Sequence, residues 1–507
     1  MTQDSTLDSA LRASLAGHAK RTAFDSGQHI LTYAELDESV NDAVGWLTER
    51  GVTPGDRVLL QMDKGVAFLL LHLANMRLGS VTVPIHPQST REEVTYAIRD
   101  CSPLLLVRGL ETDDTSASQL PGDEGAAVAL VSPSERPVGT GPRQESSPQP
   151  GDLACLLYTS GTTGPPKGAR LLHRQLAANI AILAKAWGWT PEDRLLHVLP
   201  LFHVHGLFVA ASVALHCGAT LELAPRFDPA ETWKALLSGR ISLFMGVPTM
   251  YHRLLGAAPA SVPRPTPVRL FTSGSAPLRP ETLQAFEALT GQVILERYGM
   301  TEVGMAASNP LHGIRKPGSV GPALPGVGLR IAPPPRGREA ASEDIGEIQI
   351  SGASVFDGYW KRPEQTDKSF TKDGWLRSGD LGFLDTDGYL HLVGREKELI
   401  ITGGLNVYPR EVESALDEHP DVAESAVCGV PDQDFGEAVV AGVVLRIDSQ
   451  PAHTLTPQEL IAWARIRLAP YKLPKRIVFL SELPRNAMGK VKKARLAGIP
   501  ELSGGEV

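Results

Sequence analysis

The sequence predicts an α/β protein with a large N-terminal body of sheets and helices, residues 1–394, and a small C-terminal α+β domain, residues 395–507. Three observations carry this. Apolar β-branched runs alternate with helical patterns along most of the chain, which favours layered sheets and helices. The 507 residues suffice for roughly three to four units of ~100–200 residues. The tract 388–404, GYLHLVGREKELIITGG, joins two strand-like runs through Arg-Glu-Lys-Glu, and about a hundred residues follow it.

Taken in order, the elements rest on periodicity. The apolar run 153–158 reads as a strand. Leu176, Ile180, Leu183 and Trp187 recur at spacings of four, three and four, so 173–187 reads as a helix with one apolar face. The runs 268–272 and 292–296 read as strands, and a helix starts after Pro280 between them. Residues 132–151 and 333–342, rich in Ser, Pro and Gly, read as irregular connectors.

Composition narrows the function. Lys and Arg number 49 against 57 Asp and Glu, a net charge of −8. A nucleic-acid binder carries a basic excess, so no nucleic-acid partner is expected, whereas a local pocket can still take a small anion. No apolar run approaches the ~20 residues of a membrane-spanning helix, and the N-terminus lacks the apolar core of a signal peptide. Cys101, Cys155, Cys217 and Cys428 are scattered with no CxxC pair. A disulfide framework or zinc site is therefore not expected, and a reducing cytoplasm fits.

The segment most informative about chemistry is TSGTTGPPKG, 159–168, which the sequence places between an apolar strand and an amphipathic helix. Glycines let backbone N–H groups turn toward an anion, hydroxyls add donors, and Lys167 adds a mobile positive charge. That is the chemistry of a polyphosphate cradle. It is not a Walker A loop, because Pro166 precedes Lys167 and Gly168 follows it.

This loop resembles the signature of the adenylate-forming (AMP-binding) superfamily of acyl-CoA synthetases, luciferases and peptide-synthetase adenylation domains. SGSAPL at 273–278, ERYGMTE at 296–302, SGD at 378–380, GREK at 394–397 and PRNAMGK at 484–490 follow in the superfamily's order. The resemblance implies the adenylate-forming fold, with a large multi-sheet α/β domain and a small mobile C-terminal lid. It implies ATP, Mg²⁺ and coenzyme A, used to turn a carboxylic acid into an acyl-adenylate and then a thioester. Thr159, Ser160, Gly161, Thr162, Thr163, Gly164 and Lys167 would hold the β- and γ-phosphates. Tyr298 would stack on adenine against a wall of Gly274, Ser275, Ala276 and Pro277, with Glu296 and Gly299 in the same nucleotide site. Asp380 would accept the ribose hydroxyls, assisted by Arg395. Thr301, Glu302 and Lys490 would be the catalytic group, with Thr301 on phosphate and Glu302 on Mg²⁺. Lys490 would sit between carboxylate and α-phosphate during adenylation. Lys397 would be the hinge, and Gly403 and Gly404 would let the pantetheine of CoA pass.

The acid is read from the region before SGSAPL. Amino-acid-activating domains typically carry Asp after a Phe there, to pair with the substrate ammonium, but Phe202 is followed by His203. FHVHGLFVA, GVPTMYHRLL, LERYGMTE and PGSVGPALPGV resemble malonyl-CoA synthetases more closely than generic fatty-acid ligases. That resemblance implies malonate or methylmalonate as the acid, with Arg297 gripping the second carboxylate bidentately and His203 or His205 lining the same pocket. Gly304, Ala306 and Ala307 would enlarge it toward 2-substituted malonates. Two other readings stay open at this point: Arg297 pairs internally with Glu296 or a distant acid in a short-chain, medium-chain or aryl acyl-CoA synthetase, or the chain is a silent nucleotide-binding protein. An acyl-carrier protein is an alternative acceptor, and a protein acetyltransferase acting on Lys490 would remove its charge.

Overall fold

The computed structural model describes residues 5–109, 126–143, 147–159, 165–332, 345–403, 405–432, 434–446, 455–485 and 490–503. Two compact units emerge. The first comprises 1–330, 349–377 and 388–390, and the second 331–348, 378–387 and 391–507. The second therefore gathers two short segments from ahead of residue 391 as well as the chain's end. The chain passes between units within the strands Val327–Ile331, Gly346–Gly352, Leu376–Leu384 and Leu390–Arg395.

The first unit holds two sheets. In the eight-stranded sheet the order is Gly304–Ser308, Leu295–Met300, Leu270–Ser273, Leu243–Gly246, Arg194–His197, Thr220–Leu223, Thr22–Asp25 and Ile30–Thr32. Its six inner strands run parallel, and an antiparallel pairing closes each edge. The six-stranded sheet runs Ala127–Val131, Leu105–Gly109, Arg57–Gln61, Val81–Ile85, Leu153–Thr159 and Lys167–Leu172. Parallel strands buried on both faces explain the near-continuous apolar runs of the sequence, such as LACLLYT.

Helices start where the side chains supply caps. Thr32 with Glu35, and Thr90 with Glu93, form reciprocal capping boxes ahead of Tyr33–Glu49 and Arg91–Cys101. Helix Val66–Leu78, VAFLLLHLANMRL, is buried on every side and stops at left-handed Gly79 (φ 77°). The helix read as 173–187 spans His173–Ala186 and buries Leu176, Ile180 and Leu183. Trp187 caps it, fully buried, with its indole N–H donating to Ser308 Oγ at 3.0 Å.

The second unit is built on a five-stranded sheet. Long antiparallel strands Val422–Asp432 and Gly436–Leu445 form its centre, flanked by the hairpin Ile400–Thr402/Leu405–Val407 and by parallel Arg476–Phe479. Helices Pro409–Asp417 and Pro457–Arg465 bury Val412, Leu416 and Leu460 against it. Among the described residues, no helix is long and apolar enough to cross a membrane, and the four cysteines are free thiols.

Candidate active site

The phosphate-loop motif sits at the end of a β-hairpin. Leu153–Thr159 pairs antiparallel with Lys167–Leu172, placing Tyr158 opposite Gly168 and Thr159 opposite Lys167. The helix read as 173–187 does follow the loop, but a strand not read from the sequence, Lys167–Leu172, lies between them, because KGARLL can bury Gly168, Ala169, Leu171 and Leu172 in the sheet. Ser160, Gly161, Thr162, Thr163 and Gly164 lie outside the described residues. The hairpin's base is clamped from two sides. Tyr96 donates to Pro166 O at 2.6 Å, and Tyr158 donates to Asp100 Oδ2 at 2.9 Å. Buried Asp100 also takes Arg362 at 2.7 Å. From the other side Trp360 N donates to Gly168 O, and Arg170 N to Gly358 O, at 2.8 and 3.0 Å.

Those backbone bonds bring Tyr359 over the hairpin. Lys167 Nζ lies 4.2 Å from the centre of the Tyr359 ring. The phenol donates to Glu302 Oε1 at 2.7 Å, and Phe356 N donates to Glu302 O at 2.7 Å. Burial, and then the neighbouring Glu302 charge, raise the Tyr359 hydroxyl far above its ordinary pKa, so it remains a donor. Glu302 itself is only 6% exposed.

ERYGMTE forms the strand Leu295–Met300 and the turn after it, which pairs back on Gly304–Ser308 with a bulge at Tyr298/Gly299. A Cβ on Gly299 would land on the carbonyl oxygen of Gly304, so this tight return requires glycine. Strand alternation sends Glu296 and Tyr298 to one face and Arg297 to the other; all three are buried, and Thr301 is partly exposed.

Arg297 is a buried cation. It is 2% exposed, its Nε and Nη2 make no hydrogen bond, and no carboxylate pairs with it among the described residues. Burial lowers its pKa to about 10, with Tyr251 acting in the opposite sense, so it stays cationic at neutral pH. Gly274 makes room for it: a Cβ there would collide with the guanidinium. Ser275 takes the left-handed conformation (φ 68°), and its hydroxyl lies 3.5 Å from His205 Nδ1. Ala276 and Pro277 are exposed beyond it.

His205 is buried with no partner at Nε2. Burial first, and then the Arg297 charge, hold it neutral, well below the ordinary histidine pKa. It begins a π-helical segment, His205–Ser212, a wider winding frequent at functional sites. His203 lies instead beside Phe202, whose ring meets His86 edge-on at 4.8 Å. Both the Arg297 and His203 charges act on His205 in the same sense, disfavouring its protonation. A small cavity of about 10 Å³ opens beside Thr301, with Val204, Phe208 and Gly304 in its wall; that is room for about one water. The space Gly304 leaves is filled by the Asn179 carboxamide, which bonds Met305 N and O at 3.1 and 3.0 Å. The space a Cβ would take at Gly304 is therefore occupied by Asn179, although Gly304 also borders the small cavity.

In the second unit, Asp380 is buried within the strand Leu376–Leu384 and pairs with Arg395 Nε at 3.0 Å. Gly379 (φ 67°) turns the chain there, and Ser378 Oγ accepts from Asp380 N at 3.0 Å. Lys397 is exposed on the single 3₁₀ turn Glu396–Glu398. Gly403, left-handed at φ 57°, donates from its N–H to Phe435 O at 2.8 Å; Gly404 lies outside the described residues. Lys490 is exposed, whereas Lys493 reaches Glu413 at 2.8 Å and Glu398 at 3.2 Å. Of the lysines at 490, 492 and 493, the first two are exposed and Lys493 is held in ion pairs. Nothing in the sequence periodicity announced Tyr359, Asp100 or Tyr96. Tyr359 stands 57 residues from Glu302.

Two family models match the chain, AMP-binding enzyme over 11–360 and AMP-binding enzyme C-terminal domain over 411–490. The chain belongs to the AMP-binding enzyme family. Among its relatives, the mitochondrial malonate–CoA ligase ACSF3 of Mus musculus is 37% identical over 93% of this chain and 86% of its own length. The crystal structure of ATP-bound MatB from Rhodopseudomonas palustris superposes with a TM-score of 0.90 at 40% identity, covering 98% of this chain and 99% of that one. The o-succinylbenzoate–CoA synthetase MenE of Bacillus subtilis, in complex with ATP and magnesium ion, gives 0.83 at 28% identity, covering 96% and 98%.

Proposed function

We propose that this chain is an ATP-dependent acid–CoA ligase whose acid is a small dicarboxylate of the malonate class. The observation that carries the choice of acid is the buried Arg297 guanidinium, which no described carboxylate neutralises. A desolvated cation without a partner costs several kcal/mol. A second carboxylate on the substrate relieves that cost; acetate or butyrate leaves it in place. His205, neutral beside Arg297, and Ser275 add polar partners to the same pocket.

In the first half-reaction a carboxylate oxygen bonds to the α-phosphorus of ATP, the α–β phosphoanhydride bond breaks, and pyrophosphate leaves. Two anions must be brought together, so the protein's task is positioning and charge compensation. Lys167, Thr159 and Thr301 bind phosphate oxygens, and Tyr298 with Gly274, Ser275, Ala276 and Pro277 borders the adenine. Glu296 and Gly299 shape the strand between them, and Asp380 with Arg395 holds the ribose.

Among the described residues no cluster of three or more His, Cys, Asp or Glu could hold a metal. Mg²⁺ needs no such cluster, because it binds through one or two carboxylates and completes its shell with phosphates and water. Glu302 would hold it, and bound Mg²⁺ neutralises phosphate charge. In the second half-reaction the CoA sulfur bonds to the acyl carbon, the acyl–phosphate C–O bond breaks, and AMP leaves. Lys490 serves the first half, Lys397 is the pivot between halves, and Gly403 passes the pantetheine. Free thiols throughout fit a reducing compartment such as the cytoplasm.

Mass spectrometry of thioesters formed from ATP, Mg²⁺ and CoA with malonate, methylmalonate, acetate, butyrate and benzoate tests this. Malonyl-CoA should dominate; a monocarboxylate product in excess would leave a ligase but overturn the acid. A parallel arm with an acyl-carrier protein replacing CoA tests the acceptor.

A further inference from the structure

We propose that Tyr359 is a positioning residue that locks Glu302 and Lys167 into one phosphate-facing unit, so that the carboxylate on Mg²⁺ and the cation on phosphate are set together. This rests on the roles given above to Glu302 and Lys167. Three observations support it. The Tyr359 hydroxyl donates to Glu302 Oε1 at 2.7 Å, and its ring face carries Lys167 Nζ at 4.2 Å, so one side chain touches both charges. The ring is itself fixed: Tyr359 N donates to Thr366 Oγ1 at 2.9 Å, and Phe356 packs edge-on at 4.9 Å. Residue 359 is also bridged to Ala169, on the strand that begins at Lys167.

The physical consequence is preorganisation. A carboxylate with one oxygen held by a buried donor loses rotational freedom before the metal arrives. An ammonium over an aromatic face is attracted by the ring quadrupole and stays near it. Tyr359 thereby serves both groups without adding negative charge to a site that must take a polyanion.

The hydroxyl and the ring are separable. Tyr359→Phe keeps the ring and removes the donor; Tyr359→Leu removes both. Binding is read by electron paramagnetic resonance of Mn²⁺ in the presence of ATP, and by calorimetry of ATP without metal. Tyr359→Phe should weaken Mn²⁺ binding about tenfold, the effect of losing a hydrogen bond to a charged group, while metal-free ATP affinity stays within twofold. Tyr359→Leu should additionally weaken metal-free ATP binding about threefold. In a Glu302→Gln background, Tyr359→Phe should have no further effect on Mn²⁺. Unchanged Mn²⁺ affinity in Tyr359→Phe overturns the proposal. Should the unaltered protein bind no ATP with Mn²⁺ at all, the functional reading falls instead, which is a distinct result.

Discussion

Replacing Arg297 with methionine tests the pocket most directly, because the two effects it should have oppose one another. The side chain is 2% exposed, and its Nε and Nη2 are without hydrogen bonds. Methionine keeps the apolar stem and removes the charge. For malonate, deletion of the guanidinium leaves a carboxylate buried and unpaired, which costs about 3–5 kcal/mol. At about 1.4 kcal/mol per tenfold, kcat/KM for malonate should fall roughly 10²–10³-fold. For butyrate no partner is lost, so kcat/KM should hold or rise. Without substrate, the variant sheds a desolvated charge, and its unfolding free energy should increase by about 1–4 kcal/mol. The assay pairs pyrophosphate release, with each acid in turn, with urea denaturation of the ligand-free protein. Equal loss of activity with both acids, accompanied by destabilisation, would mean that the guanidinium holds the fold together rather than the substrate.

Two further outcomes are expected. Lys490→Ala should abolish pyrophosphate exchange while sparing thioester formation from supplied malonyl-adenylate; acetylation of Lys490, which removes the same charge, should reproduce it, and equal loss in both steps would exclude the role. Burial lowers the pKa of His72 and His197 to about 3 and of His173 to about 4. Their folded values lie below the unfolded ~6.5, so the stability they contribute is present above that pH and is lost as pH falls toward 4. Each supplies a slope of about 1.4 kcal/mol per pH unit in that window. His72→Gln should flatten the slope of unfolding free energy by that amount in denaturation curves at pH 6, 5.5 and 5, and an unaltered slope would mean that His72 titrates normally in the fold.

The fold was legible where the chain is periodic. Leu176, Ile180 and Leu183 mark a helix because one stripe of a 3.6-residue period faces a core. The strand 167–172 was not legible, because Lys-Gly-Ala-Arg alternates weakly and its pairing depends on Leu153–Thr159 across the turn. The second unit's short early segments were equally hidden. Gly346–Gly352 and Leu376–Leu384 are ordinary strands by composition, and only long-range contact divides them between units.

The site divides along the same line. Lys167 can be read from its own loop, whereas Arg297, Glu302 and Asp380 are named through the ordered motifs of the family that the chain resembles. Residues that position them act at a distance: Asp100 beneath Tyr158, Gly358–Trp360 against the hairpin, Tyr359 on Glu302. No local period selects these, because the constraint is a hydrogen bond across many intervening residues. Gly304 illustrates the opposite error. As sequence it reads as removed bulk, and therefore as room for a larger substrate. In the fold its missing Cβ is the space that Asn179 occupies while bonding Met305 N and O. That amide pins the strand following Glu302, so Gly304 serves the rigidity of the turn rather than the size of the pocket. On the proposed reading, the acid instead meets what surrounds Arg297. Gly274 yields space to its guanidinium, and His205 and Ser275 stand beside it. On the proposed role of Arg297, selection among acids would be chiefly electrostatic, and the second carboxylate would matter more than the substituent at carbon 2.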